Sequence, residues 1–354
     1  MHSIFIGSTG GQPGQTLTTW ALAMKLKEKG FRVGFFKPYG LITDQEASGN
    51  QVGFYDANVN LLKEVLGLAE PLESLCPVTI TENSLAGVSE VSGDQLIERI
   101  RRAFTEISSG KDVVLIMGAR EIFFGGGLSE LSDSLLVKMF NATVLLVDRY
   151  QRDNLTLYSL LSLNSFLEGR VKSAIINHIA PDHLEHVKAK VLPFLKEKGL
   201  RSVIAIPESP ILAALTVFTI THLIGGEIFC LPELGGNLIE TFTIGSKHLE
   251  GPLTIFKQVY NKIILAGLSQ AGEEKPTVGG IILTGGKIPG EAVLRVARER
   301  SIPLILSRAD TFKTMEKLEK ARPSLTWKDE FKVQKFLELI EQEMGPNEWV
   351  DALL

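Results

Sequence analysis

The chain has 354 residues, 44% of them apolar and 22% charged, with a formal net charge of −4. That length exceeds one ordinary core and suits two domains at roughly 100–200 residues each, and the composition points to folded rather than disordered halves. The weakly acidic balance provides no broad positive field, which excludes nucleic acid as the main partner.

Residues 1–40 read as strand, glycine-rich loop, helix and strand, the opening βαβ unit of a parallel sheet. Met1 leads directly into the strand-like Ser3-Ile4-Phe5-Ile6, without the basic region and apolar stretch of a signal peptide. Leu17, Trp20, Ala21 and Met24 recur at helical spacing, which predicts a helix with one buried face and a basic last turn that Gly30 stops. Further strands are expected at Val113 to Met117, Thr143 to Val147, Ala174 to Ile176 and Val203 to Ile206, alternating with helical stretches. The runs Val113-Val114-Leu115-Ile116-Met117 and Val144-Leu145-Leu146-Val147 do not alternate with polar residues, as befits central strands covered on both faces. The pattern predicts a doubly wound, mostly parallel α/β sheet.

After Pro207 a glycine-punctuated stretch runs from Gly225 to Gly251, followed by strands at Lys262 to Ala266, Gly280 to Leu283 and Pro303 to Leu306. Helices are expected from Pro289 and from near Asp310, and an amphipathic one over Lys328 to Met344 that packs back on the body. This places a first domain at 1–214, a second, smaller α/β domain at 215–325 and a helical tail at 326–354. Cys76 and Cys230 stand alone and read as buried apolar fillers. The apolar run nearest to a membrane span, Ile211 to Phe229, is interrupted by Thr, His, Glu and two glycines, so a cytoplasmic protein without a membrane partner is expected.

The loop Gly7-Ser8-Thr9-Gly10-Gly11-Gln12-Pro13-Gly14-Gln15-Thr16 lies where a strand becomes a helix, the place where backbone N–H groups and a helix N-terminus cradle phosphate oxygens. A P-loop ends in Gly-Lys-[Ser/Thr], whose lysine meets the β- and γ-phosphates while the hydroxyl holds magnesium. Here Gln15 stands in the lysine's place and Thr16 keeps the hydroxyl. Glutamine can donate a hydrogen bond but brings no charge, so charge on a transferred phosphoryl group would be weakly stabilised. Taken alone, the loop is as readily a plain glycine-rich turn.

Gly7 to Thr16, then Phe36-Lys37-Pro38-Tyr39-Gly40, then Tyr55-Asp56-Ala57, resemble in that order the dethiobiotin synthetase-like branch of P-loop proteins. The closer resemblance is to the synthetase-like N-terminal region of long phosphotransacetylases and stand-alone relatives, where a DRTGG domain follows. Gly279 to Gly286, and Ile302 to Leu306 followed by Asp310-Thr311-Phe312, resemble that second domain. The resemblance implies a P-loop NTPase fold of dethiobiotin synthetase-like type. It implies a nucleotide such as ATP held by Thr9, Gly10, Gly11, Gly14, Gln15 and Thr16, with Asn177 reading the adenine edge. It also implies Lys37 as a candidate catalytic lysine and a magnesium site on Asp56 and Thr16.

Three positions depart from the family's pattern. Beside Gln15, the strand-end glutamate falls on Met117-Gly118, where a thioether cannot ligate a hard cation. Glu121 is a candidate substitute if the loop to Gly125-Gly126-Gly127 folds back. The glycine-aspartate-arginine signature of the second domain falls on Ala266-Gly267-Leu268-Ser269-Gln270.

Plainer roles compete at several positions. Asp56 also fits a helix N-cap, Asn177 a turn after its strand, His178, His183 and His186 a solvated loop and helix, and Thr284-Gly285-Gly286 a structural turn or small anion nest. The leading expectation is a nucleotide- or anion-binding regulatory or sensor protein, not an active ATPase or ligase. It would act in trans on a protein partner and could self-associate, because no phosphotransacetylase catalytic domain follows. The alternatives are an ATP-dependent carboxylate-activating ligase of the dethiobiotin or cobyrinic acid a,c-diamide synthetase type, and a scaffold whose loop binds nothing.

Overall fold

The computed structural model describes residues 1–10, 14–42, 56–81, 93–118, 131–244, 251–258, 262–267, 278–320, 325–345 and 347–354. They fall into two compact units, Met1–Glu208 with Ser324–Leu354, and Ser209–Pro323, so the second unit is inserted into the chain of the first.

The first unit is built on β1 (His2–Ser8), β2 (Val33–Phe36), β5 (Val113–Met117), β6 (Thr143–Arg149), β7 (Val171–Ile179) and β8 (Ser202–Pro207), in the order β2-β5-β1-β6-β7-β8. Every pairing in this sheet is parallel. β2 and β5 are buried along their whole length, the result of helices covering both faces and the reason their sequences do not alternate. Among the described residues a two-stranded parallel ribbon, β3 (Tyr39–Ile42) with β4 (Val78–Thr81), completes the strands of this unit. From β1 the chain runs out to β2, returns to β5 and then crosses to β6 on the other side of β1. The carboxyl end of β1 is therefore the point where connections diverge and an open sheet leaves a crevice.

α1 (Gln15–Glu28) follows β1 and carries Lys25 and Lys27 in its last turn, where cations favour the negative end of the helix. Its burial differs from the expected single face: Thr18, Thr19, Leu22 and Ala23 are buried along with Leu17, Trp20 and Ala21. The cause is the helix Glu330–Glu343, which packs against α1 and joins it through the Lys25–Glu341 ion pair at 2.7 Å. α2 (Ala57–Leu66) also packs on α1, and Lys27 donates to the Leu66 carbonyl at 2.6 Å.

The inserted unit holds one six-stranded mixed sheet in the order β10-β14-β13-β12-β11-β9. Its strands are β9 (Leu215–Thr216), β10 (Glu227–Cys230), β11 (Leu238–Ile244), β12 (Lys262–Gly267), β13 (Val278–Leu283) and β14 (Leu304–Leu306). Only β13 and β14 pair in parallel. Two apolar clusters cover its faces, one around Phe256 and Ile281, the other around Ile220 and Ile263. Cys76 and Cys230 are both buried and free. Among the described residues no helix is long and apolar enough to cross a membrane.

Candidate functional site

The chemistry-bearing residues of the first unit gather at the carboxyl end of β1 and its neighbours. Gly14 caps α1 in the left-handed region at φ 101°, a conformation that only glycine adopts freely. A Cβ there would also lie 3.0 Å from the Asn177 side-chain nitrogen, so Asn177 packs directly over the loop. On the other side of the loop Thr9 is anchored twice: its amide donates to the Val147 carbonyl at 3.1 Å and its hydroxyl to the Asp148 carboxylate.

Gln15, in the lysine's position, is buried and turned to protein partners. Its Nε2 donates to the Ile6 carbonyl at 2.7 Å and to the Gly118 carbonyl at 3.3 Å, tying the end of β1 to the end of β5. Met117, where the family has a metal-ligating glutamate, is 2% exposed and contributes only bulk.

Lys37 and Asp56, read separately from the sequence as a catalytic lysine and a metal ligand, form a closed pair with Nζ to Oδ2 at 2.7 Å and side chains 4% and 8% exposed. The second Asp56 oxygen, Oδ1, accepts the Asn58 amide at 2.9 Å, so Asp56 is also the N-cap of α2. Thr16, the other expected metal ligand, donates its hydroxyl to Asn58 Oδ1 at 2.9 Å. A carboxylate flanked by an ammonium and a helix N-terminus has its charge offset where it sits, which lowers its attraction for a cation.

Asn177 lies within β7 rather than after it. β7 continues past the expected Ile176 because a bulge at Asn177 and His178 shifts the register between the pairs Ile176–Ala205 and Ile179–Pro207. Bulges re-aim side chains beside functional sites, and this one turns Asn177 toward Gly14. His178 takes a left-handed backbone at φ 57°, and burial together with the nearby Arg149 charge lowers its pKa. His183 and His186 do lie on an exposed helix face, where His183 meets the Tyr150 hydroxyl at 3.3 Å and His186 the Asp153 carboxylate at 2.7 Å. In the inserted unit the Gly285 and Gly286 amides donate to the Ala309 and Ser307 carbonyls, so the two glycines of the Thr284-Gly285-Gly286 turn spend their amides internally. Gly11, Glu121, Gly125 to Gly127 and Leu268 to Gln270 lie outside the described residues.

Two acids at the site were not singled out from the sequence. Asp133 opens a helix behind Ser132, accepts the Tyr39 hydroxyl at 3.0 Å and presses on Gly118. Asp148 is the last residue but one of β6, beside Thr9; a polar residue near the end of a parallel strand was the signal for it. Burial raises the Asp148 pKa against the opposing effect of the hydrogen bond from Thr9. A raised carboxyl pKa makes the folded state less favourable as pH climbs through the carboxylate range. Asp148→Asn keeps an oxygen for Thr9 and removes the charge. It is expected to raise the melting temperature at neutral pH, with the gain fading as pH falls through the raised folded-state pKa toward about 4 and absent below that, where the wild-type carboxyl is protonated in both states. An equal shift at all pH values would show that charge is not the cause.

The comparisons with known proteins agree with the fold. Residues 2–216 match the AAA domain family AAA_26, and residues 219–321 match the DRTGG domain. The chain belongs to this AAA domain family. Its AAA domain has the nucleotide-binding P-loop fold. Phosphate acetyltransferases are among the relatives. That of Synechocystis is 21% identical over 99% of the chain and 52% of its own length. That of Pseudomonas putida is 24% identical over 90% of the chain and 47% of its own length. That of Nitrosomonas europaea is 29% identical over 52% of the chain and 26% of its own length. The chain thus spans about half the length of these relatives, or less. Among solved structures, the MinD cell division protein of Aquifex aeolicus is 16% identical over 60% of the chain and 84% of its own, at a TM-score of 0.32. The MinC:MinD complex of the same organism reaches 17% identity over 60% and 84%, at a TM-score of 0.35. Scores this low carry no weight beyond a partial likeness.

Proposed function

We propose that the AAA domain binds a nucleotide at the Gly7–Thr16 loop without a divalent metal and with little or no turnover, serving as a regulatory or sensor module related to the non-catalytic part of phosphate acetyltransferases. The observation that carries this reading is the internal engagement of the groups that phosphoryl chemistry would need. Lys37 is closed on Asp56, Thr16 on Asn58, and Gln15 on the Ile6 and Gly118 carbonyls. What remains among the described residues of the loop is backbone geometry and a helix N-terminus, which suffice to hold an anion but not to stabilise charge developing on a transferred phosphoryl group. The DRTGG domain and a protein partner would carry the signal onward.

Calorimetric titration with ADP and ATP, together with an ATP turnover assay, tests this. Wild type is expected to bind nucleotide and to leave ATP intact. Gln15→Lys should tighten binding by about tenfold or more, because a charge-assisted hydrogen bond contributes about 1.5–3 kcal/mol. ATP consumption by wild type in the presence of a carboxylated substrate would overturn the sensor reading in favour of a ligase. No binding by either protein would leave the loop a structural turn.

A further inference from the structure

Both covalent links to the inserted unit are anchored one step from the nucleotide loop. The outgoing link leaves from Glu208, whose amide donates to the Ile179 carbonyl at 2.8 Å. Ile179 closes the bulge that holds Asn177 over Gly14. The returning link enters through Thr326, which forms a capping box with Asp329: its amide and its hydroxyl each lie 2.8 Å from the Asp329 carboxylate. That turn, Trp327–Asp329, packs against α2, whose first turn supplies Asn58 to the Thr16 hydroxyl. A buried Lys332 pairs with Asp329 at 3.4 Å and fixes the turn to the start of the helix Glu330–Glu343.

We propose that Asn177 and Asn58 are positioning residues through which Glu208 and Thr326, where the two links meet the first unit, are coupled to the nucleotide loop, so that ligand at the loop stiffens these two attachment points and the state of the inserted unit sets ligand affinity. This rests on the nucleotide-binding reading above. The physical basis is that each asparagine touches the loop with its side chain and belongs to an element that also holds a link. Displacing either link must then move a group in contact with Gly14 or Thr16. Binding and link order are consequently two sides of one coupling free energy, which is reciprocal.

Hydrogen exchange of the full chain with and without ADP, paired with calorimetry, tests the coupling in both directions. ADP is expected to slow amide exchange about fivefold or more in residues 57–66, at Glu208 and Ser209, and in residues 326–332, the lower end of common coupling strengths. Asn58→Ala should remove the effect at 326–332 and retain it at Glu208 and Ser209. In the reverse direction Thr326→Ala, which breaks the capping box without touching the loop, should weaken ADP binding by a similar factor. Calorimetric binding with unchanged exchange at both links overturns the coupling and leaves the nucleotide reading intact. Absence of any binding overturns both. Binding by Thr326→Ala within twofold of wild type, with its exchange at 326–332 raised, also overturns the coupling.

Discussion

A chain truncated after Pro323 is expected not to fold its AAA domain. The segment removed buries Val333, Phe336, Leu337, Leu339, Ile340, Trp349, Val350 and Leu353, and its long helix covers the outer face of α1. At about 1.5–3 kcal/mol per large apolar side chain these eight represent on the order of 12–24 kcal/mol. Ordering the tail offsets part of that, yet even half equals the whole margin of about 5–15 kcal/mol that holds an ordinary domain together. The Lys25–Glu341, Lys29–Asp351 and Lys188–Glu343 ion pairs join the same surfaces but are partly exposed and add little. Circular dichroism and urea titration of the truncated chain should show loss of the cooperative transition. A graded control, Phe336→Ala at a fully buried position, should cost about 3–5 kcal/mol. A truncated chain with an unchanged first transition would mean the tail is an accessory rather than part of the fold.

The second large effect concerns Lys37. A lysine standing open in a crevice for catalysis can be replaced by methionine at little cost in stability. Here Lys37→Met strips the counter-charge from a buried Asp56, and the loss is expected to be about 3–5 kcal/mol by urea denaturation. Adding Asp56→Asn should recover most of it, because asparagine caps a helix as well as aspartate does and leaves no buried charge. A single variant as stable as wild type would return Lys37 to the role of a free catalytic group.

The architecture was legible where the physics is local. Uninterrupted apolar runs marked β5 and β6, because strands covered on both faces need no polar side, and Gly14 before Gln15 marked the strand-to-helix turn. β11 was missed: its bulge between Ile239 and Thr241 breaks the alternation of Leu238–Ile244, and the glycines around it read as loop. β3 was hidden because it begins one residue after Pro38, inside the segment that drew attention as a motif. The second buried face of α1 depended on the distant helix Glu330–Glu343 and carried no local sign.

At the site, the family resemblance pointed to Thr16, Lys37, Asp56 and Asn177, but not to which atoms they face. Lys37 and Asp56 are 19 residues apart, and their pairing arises from the approach of the end of β2 to the start of α2. Asn177 was expected after its strand because the bulge that carries it reads, from the sequence, as a strand ending at Ile176.

The central claim, nucleotide binding without a metal, is tested most directly by calorimetry of ADP with magnesium chloride and with EDTA. Dissociation constants within about twofold of one another are expected, a difference of no more than about 0.4 kcal/mol. Binding tighter by tenfold or more with magnesium would contradict it, because Asp56 or another acid would then have to leave its internal partners to hold the ion.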